Sequence, residues 1–170
     1  MLTRAILMPS SFQRPFASGL SYTSFSYKWS ASAAAARTAT TVDYAAGMYA
    51  DVPLHSVVVT NTGTQYAGDC VVTAFVLATP GSPDDLPLKK MFGFQRLKAM
   101  APGESRMVTF YPEPSALSVI DADGKRVLKP GEFSIEVGDI VTPARKQLRL
   151  TGDAVVLEAN EWAKKALLQN

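Results

Sequence analysis

One cysteine and one histidine, Cys70 and His55, are all that this 170-residue chain supplies. A lone cysteine excludes an internal disulfide and leaves the redox compartment open. With a single residue of each type, a zinc cluster and a multi-histidine metal site are also excluded. No apolar run approaches the roughly 18 residues that would cross a bilayer. Ala5-Ile6-Leu7-Met8 is shorter than the roughly 7–15 apolar residues of a secretory signal, and the sequence leaves the compartment undecided. Acids are missing from the first 42 residues, which carry Arg4, Arg14, Lys28 and Arg37. The rest of the chain holds 13 Lys or Arg against 15 Asp or Glu and is close to neutral. A formal net charge of +2 is too small to call for nucleic acid or a membrane surface as partner.

What is present is a core-forming composition, 47% hydrophobic and 19% charged, which argues against wholesale disorder. Turn signals recur at hairpin spacing: Asn61-Thr62-Gly63, Pro80-Gly81, Pro102-Gly103, Asp123-Gly124 and Pro130-Gly131. Between them lie runs rich in Val, Phe, Ile and Leu that suit pleated strands. Strands are expected over 54–61, 69–78, 89–97, 106–111, 117–120, 126–128, 132–137 and 144–150. Phe133, Ile135 and Val137 alternate with Ser134 and Glu136 as in a half-buried strand. The fold class is therefore all-β, a two-layer sandwich of about seven strands. Residues 1–30 are Ser- and aromatic-rich and irregular, and 31–50 read as a low-complexity linker. From Asp153 to Asn170 the period changes, with Val156, Ala159, Ala163, Ala166 and Leu167 near one helical face, so a short terminal helix is expected over 153–170.

No constellation in the chain carries chemistry by itself. His55 has no nucleophile motif beside it and reads as a surface or packed residue. Asp121 and Asp123 resemble the start of a calcium loop, but a third ligand before Gly124 and the closing Glu are out of register. A hairpin turn explains them better. Asp84 and Asp85 adjoin in a Pro-rich loop, where neighbouring side chains diverge and cannot flank a sugar as a catalytic pair must. Lys89-Lys90 is most simply a solvated strand edge. Phe92 and Phe94 could form a sugar-stacking platform, but their alternation with polar residues favours core packing. The chain therefore has no assignable catalytic, cofactor-binding or metal residue, and no cofactor is expected.

Two stretches carry a resemblance. Arg14-Pro15-Phe16-Ala17-Ser18-Gly19-Leu20-Ser21-Tyr22-Thr23-Ser24-Phe25 resembles the segment that leads out of the second catalytic-unit domain of glycoside hydrolase family 3. Val58 through Gly63, Gly68-Asp69, Pro87 through Arg96, Ala101 through Ser105, and Pro130 through Asp139 follow in the order of that family's C-terminal fibronectin type III-like domain. Leu117-Ser118-Val119-Ile120-Asp121 followed by Gly124 is more similar to the β-xylosidase and arabinofuranosidase branch than to the β-glucosidases. Ala17 stands where the family has Gly, and residues 31–50 do not match its usual first strand.

The resemblance implies an immunoglobulin/fibronectin III-like sandwich over 51–152. It also implies that residues 1–30 are the remnant of a link from a preceding catalytic domain. The family's nucleophilic Asp and acid/base carboxylate lie upstream of the first matching motif, so no residue here inherits those roles. A non-catalytic accessory module follows, whose partners are glycosidase catalytic domains in cis, with a polysaccharide as a further contact. If residues 1–30 pair with an absent domain, their aromatics are exposed and a chain starting near Asp51 should behave better. The alternatives are a free-standing carbohydrate- or protein-binding module and a small protein whose first 42 residues are an organelle-targeting segment.

Overall fold

The computed structural model describes residues 21–30, 41–43, 55–139 and 142–158. Its strands are β1 (Phe25–Trp29), β2 (Thr41–Asp43), β3 (His55–Asn61), β4 (Gly68–Ala78), β5 (Lys89–Met100), β6 (Ser105–Phe110), β7 (Val119–Ile120), β8 (Arg126–Leu128), β9 (Gly131–Gly138), β10 (Ala144–Thr151) and β11 (Val155–Glu158). A single-turn helix, α1 (Pro114–Leu117), precedes β7. One layer is a three-stranded sheet in the order β1-β3-β6, and the other a five-stranded sheet in the order β2-β10-β9-β4-β5. A small third sheet, β11-β8-β7, closes one end.

The core lies between the two larger sheets because each strand turns one set of alternating side chains inward. Val57 and Val59 of β3 and Val108 and Phe110 of β6 meet Val72, Ala74 and Val76 of β4. Phe133, Ile135 and Val137 of β9 and Leu148 and Leu150 of β10 complete the layer, and Leu117, Val119 and Leu128 cap it. The sandwich agrees with the sequence expectation. Four particulars differ.

The first is β1. Residues 25–29 pair antiparallel with β3 along their whole length, from Phe25 opposite Asn61 to Trp29 opposite Val57. Tyr27 is buried on the core face and Phe25 and Trp29 pack against its margin. The Trp29 indole N–H donates to the Arg145 carbonyl at 2.9 Å and ties the strand to β10. The Tyr27 hydroxyl lies 3.2 Å from the Cys70 sulfur, and burial pushes the pKa of both groups up. Tyr27 also lies flat on Gly138, whose φ of +131° needs glycine and whose Cβ would meet the ring at 2.8 Å. A segment expected to leave its aromatics exposed thus supplies an edge strand instead.

The second is the linker. Thr41–Asp43 forms β2, paired parallel with Arg149–Thr151. The third is the terminal helix. Val155, Val156 and Leu157 lie in a strand against β8, because β-branched residues favour a pleated surface and β8 offers a free edge there. Residues 159–170 of the expected helix lie outside the described residues. The fourth is Leu117, which ends α1 rather than starting a strand.

Candidate functional site

The outward face of the five-stranded sheet carries a buried charge cluster beside exposed apolar side chains. On β4 the outward residues are Asp69, Val71, Thr73, Phe75 and Leu77, and on β9 they include Ser134 and Glu136. β9 lies inside its sheet, between β4 and β10, so the alternation read as half-buried is covered on both sides. Glu136 is only 3% exposed although it points away from the core. Its carboxylate accepts from the Lys89 ammonium at 2.6 Å and the Arg145 guanidinium at 2.9 Å. Burial raises the Glu136 pKa, but these two cations more than offset it and hold the carboxyl below its ordinary value. The Lys89 ammonium also sits 4.1 Å from the centre of the Phe75 ring, a cation–π contact that spreads the clamp over β4.

Beside the clamp an apolar strip faces out. Val71, Met91 and Phe94 are 52%, 45% and 68% exposed. Phe94 is outward because the register of β5 shifts between the pairs Ala74–Gly93 and Phe75–Met91. That bulge leaves Phe92 unpaired and reverses the alternation, so Met91 and Phe94 share a face. Phe92 packs edge-on to Phe110 with ring centres 6.3 Å apart, as expected of a core residue, whereas Phe94 does not enter the core. At the far end of the strip Asp69 holds Arg96 through Nε at 3.0 Å and Nη2 at 2.5 Å, and accepts from the Ala99 amide at 2.8 Å. The Ala99 bond, and then Arg96, lower the Asp69 pKa. Ala99 has a φ of +49°, so this carboxylate steadies a left-handed residue at a second shift in β5.

At the rim, between the start of β5, Tyr111, α1 and β8, an open pocket of about 390 Å³ is lined by Lys90, Met91, Phe92, Tyr111, Glu113 and Arg126, with Ser115 and Ala116 behind. The Lys90 ammonium donates to the Ser115 carbonyl at 2.7 Å and the Ser118 carbonyl at 3.4 Å. Lys89 and Lys90 do mark a sheet edge, since β5 ends its sheet, but both ammonium groups are engaged.

The other residues singled out in the sequence stay apart. His55 is 1% exposed, and neither ring nitrogen has a hydrogen-bond partner among the described residues. Its ring stands edge-on to Trp29 at 5.8 Å, and burial, assisted by the charge of Lys146, lowers its pKa to about 4. It is a packed histidine. Asp121 accepts from the amides of Asp123 and Lys125 at 3.0 and 2.8 Å and so shapes the β7–β8 turn. Asp85 pairs with Lys129 at 2.8 Å. Among the described residues no group of three His, Cys, Asp or Glu is placed to hold a metal ion, and no helix is long and apolar enough to cross a membrane.

Asn61 does more than mark a turn. Fully buried, it donates to the carbonyls of Tyr66 at 3.1 Å and Met100 at 2.9 Å and accepts from the Gly63 amide at 3.0 Å and from the Thr23 hydroxyl. Sequence reasoning missed this hub and the Glu136 clamp, since both join residues far apart in the chain.

Residues 71–140 match the fibronectin type III-like domain family. The exo-1,4-β-xylosidase of Emericella nidulans is 33% identical over 147 residues, which are 85% of this chain and 19% of that protein. The β-xylosidase of Formosa agariphila is 38% identical over 127 residues, covering 73% of this chain and 15% of that protein. Among solved structures, a glycoside hydrolase family 3 exo-β-xylosidase bound to a xylobiose aziridine probe superposes with a TM-score of 0.69 at 22% identity. It covers 86% of this chain and 19% of that one. The chain thus spans about a fifth of the length of the relatives it matches.

Proposed function

Because this chain carries the fibronectin type III-like domain of the family 3 glycoside hydrolases, we propose that it serves as a non-catalytic accessory module that packs on glycosidase catalytic domains and stabilises them. The observation that carries the reading is the asymmetry of coverage: 85% and 73% of this chain match only 19% and 15% of the two relatives. The parent activity would be hydrolysis of O-glycosyl bonds, β-xylosidase-like given the relatives. The docking surface would be the outer face of the five-stranded sheet. Val71, Met91 and Phe94 there offer apolar area that a lone module leaves wet, and the Lys89–Glu136–Arg145 clamp offers fixed charge at its border.

The size of the native polypeptide tests this. An immunoblot against the recombinant 170-residue chain should show a band several times larger than 18.3 kDa. A band near 18.3 kDa would oppose docking in cis and favour a free-standing binding module. Removal of a targeting segment that extends past Trp29 would delete β1, which weighs against the targeting alternative.

A further inference from the structure

Where the chain enters β1 and where β3 turns toward β4, two aromatic rings stand outside the core. Tyr22 is 93% exposed and Tyr66 is 56% exposed. The rings meet edge to face, with 6.4 Å between centres and 63° between planes. The backbone beneath them is fixed. The Asn61 side chain donates to the Tyr66 carbonyl at 3.1 Å and accepts from the Thr23 hydroxyl. Thr62 donates to the Ser24 carbonyl from its amide at 2.8 Å and its hydroxyl at 3.1 Å. Thr23 also sits against Gly63 and Gly68, where a Cβ would collide with its side chain. Two connections distant in sequence thus form one rigid base, and large rings held in water on such a base are preorganised for a ligand. Residues 21–27 and 60–68 contain no charge. Asp69 follows, and the Glu104 carbonyl accepts from the Asn61 amide, but both carboxylates are engaged, with Arg96 and Arg106. Ser21, Thr64 and Gln65, beside the rings, are exposed.

We propose that Tyr22 and Tyr66 form a stacking platform for a neutral, β-linked polysaccharide whose backbone follows a threefold screw, as a xylan backbone does. A pyranose lays its C–H face on an aromatic ring and keeps its hydroxyls for polar neighbours, here Ser21, Thr64 and Gln65. A charged chain would find no counter-charge among these residues. The ring angle selects among neutral chains. A twofold chain such as cellulose presents parallel ring planes. Successive planes of a threefold chain meet at the angle of an equilateral triangle, close to the 63° between these rings. A proline-rich peptide is also a threefold ligand, but it docks in grooves between aromatic side chains. Two rings in edge contact leave no such groove. The platform shares no residue with the Val71, Met91 and Phe94 strip, and the inference rests on neither docking nor the parent activity.

The 170-residue chain would be titrated with xylohexaose, cellohexaose and a proline-rich peptide, by amide chemical-shift mapping and calorimetry. Xylohexaose should bind saturably, with shifts centred on 21–24 and 62–67. It should bind about tenfold tighter than cellohexaose, the difference made by one well-placed ring. Tyr22→Ala and Tyr66→Ala should each weaken it about tenfold or more. Tyr66→Phe, which keeps the ring, should hold the affinity within about twofold. Phe94→Ser, on the apolar strip, should leave it unchanged. Absence of saturation by xylohexaose, or cellohexaose binding as tightly, would overturn the proposal. So would unchanged affinity in either alanine variant. Tighter binding of the peptide would overturn it as well and assign the rings to a protein partner. If Tyr66→Ala fails to fold, Tyr22→Ala decides, since that ring is almost wholly in solvent and its loss leaves the core untouched.

Discussion

On one side of the sandwich the hydroxyls of Ser56 and Thr109 meet at 2.8 Å, and those of Thr60 and Ser105 at 2.7 Å. On the other side, Val71, Met91 and Phe94 stand in solvent beside a carboxylate sealed under two cations. Both are outward faces of antiparallel sheets, which ordinarily keep one face wet and polar. The face of β1-β3-β6 follows that rule in its paired hydroxyls, with Val58 and the exposed Met107 as its apolar interruption. The face of β2-β10-β9-β4-β5 has a core's apolar residues and a buried charge, without a layer of described residues above it. A sheet does not spend desolvation on Glu136 merely to face water. The contrast singles out the side on which a partner would sit.

The largest effect should come from removing the edge of the polar-faced sheet. A chain beginning at Asp51 loses β1, and with it Tyr27, the packing of Phe25 and Trp29 and a full ladder of pairing with β3. At roughly 1.5–3 kcal/mol per large apolar side chain, the loss is about 5 kcal/mol or more. That rivals the roughly 5–15 kcal/mol total stability of a domain. Urea melts followed by circular dichroism should show it unfolded or aggregating, the reverse of what the aromatic-rich N-terminus suggests. Equal stability of the two chains would mean that β1 is dispensable.

Next comes the clamp. Lys89→Met with Arg145→Met leaves Glu136 buried without a counter-charge and should cost about 3–5 kcal/mol. Adding Glu136→Leu should recover most of it, since an apolar residue of similar size carries no desolvation penalty. If the double variant melts like the wild type, the buried carboxylate is being solvated and the faces differ less than argued. Acid separates the two sides as well. His55, under the polar-faced sheet, titrates near 6.5 when unfolded and near 4 when folded. Between those values the unfolded chain binds more protons, so stability falls as pH drops from 6.5 to 4, by about 3 kcal/mol in all. His55→Phe should flatten that limb. Glu136, its folded pKa depressed, contributes above its ordinary 4.5, and that contribution is lost as pH falls through the folded value. The lower limb should therefore survive in His55→Phe. A slope unchanged between pH 6.5 and 4 would refute the burial argument for His55.

The layers of the sandwich were legible because turn residues and period-two runs are local signals. Val57 and Val59, Val108 and Phe110, and Phe133, Ile135 and Val137 all point inward as their alternation implies. What failed was non-local. Glu136 looks like the solvent side of a strand until Lys89, 47 residues away, closes over it. Val156 falls on a helical repeat, yet the pairing of β11 with β8 decides its state. Phe94 was expected inward, and one unpaired residue at the bulge turned it out. The resemblance reached the domain without reaching its faces, because a motif records turns and core positions and says little about which outward residues are wet.

The smallest stability change is the sharpest test of that difference. Phe94→Ser removes an exposed ring and should shift the free energy of unfolding by no more than about 0.5 kcal/mol. It should nevertheless lower binding of a hydrophobic dye and raise the concentration at which the chain self-associates, because the apolar strip loses its largest member. Thr109→Val on the opposite face should behave the other way round. It breaks the hydroxyl pair with Ser56 at a cost of about 0.5–1.5 kcal/mol and adds apolar area, so dye binding rises. Two variants of similar size, on two faces of one module, thus move stickiness in opposite directions. If both lower it, or neither moves it, the strip is ordinary surface, and the asymmetry on which the docking face rests is gone.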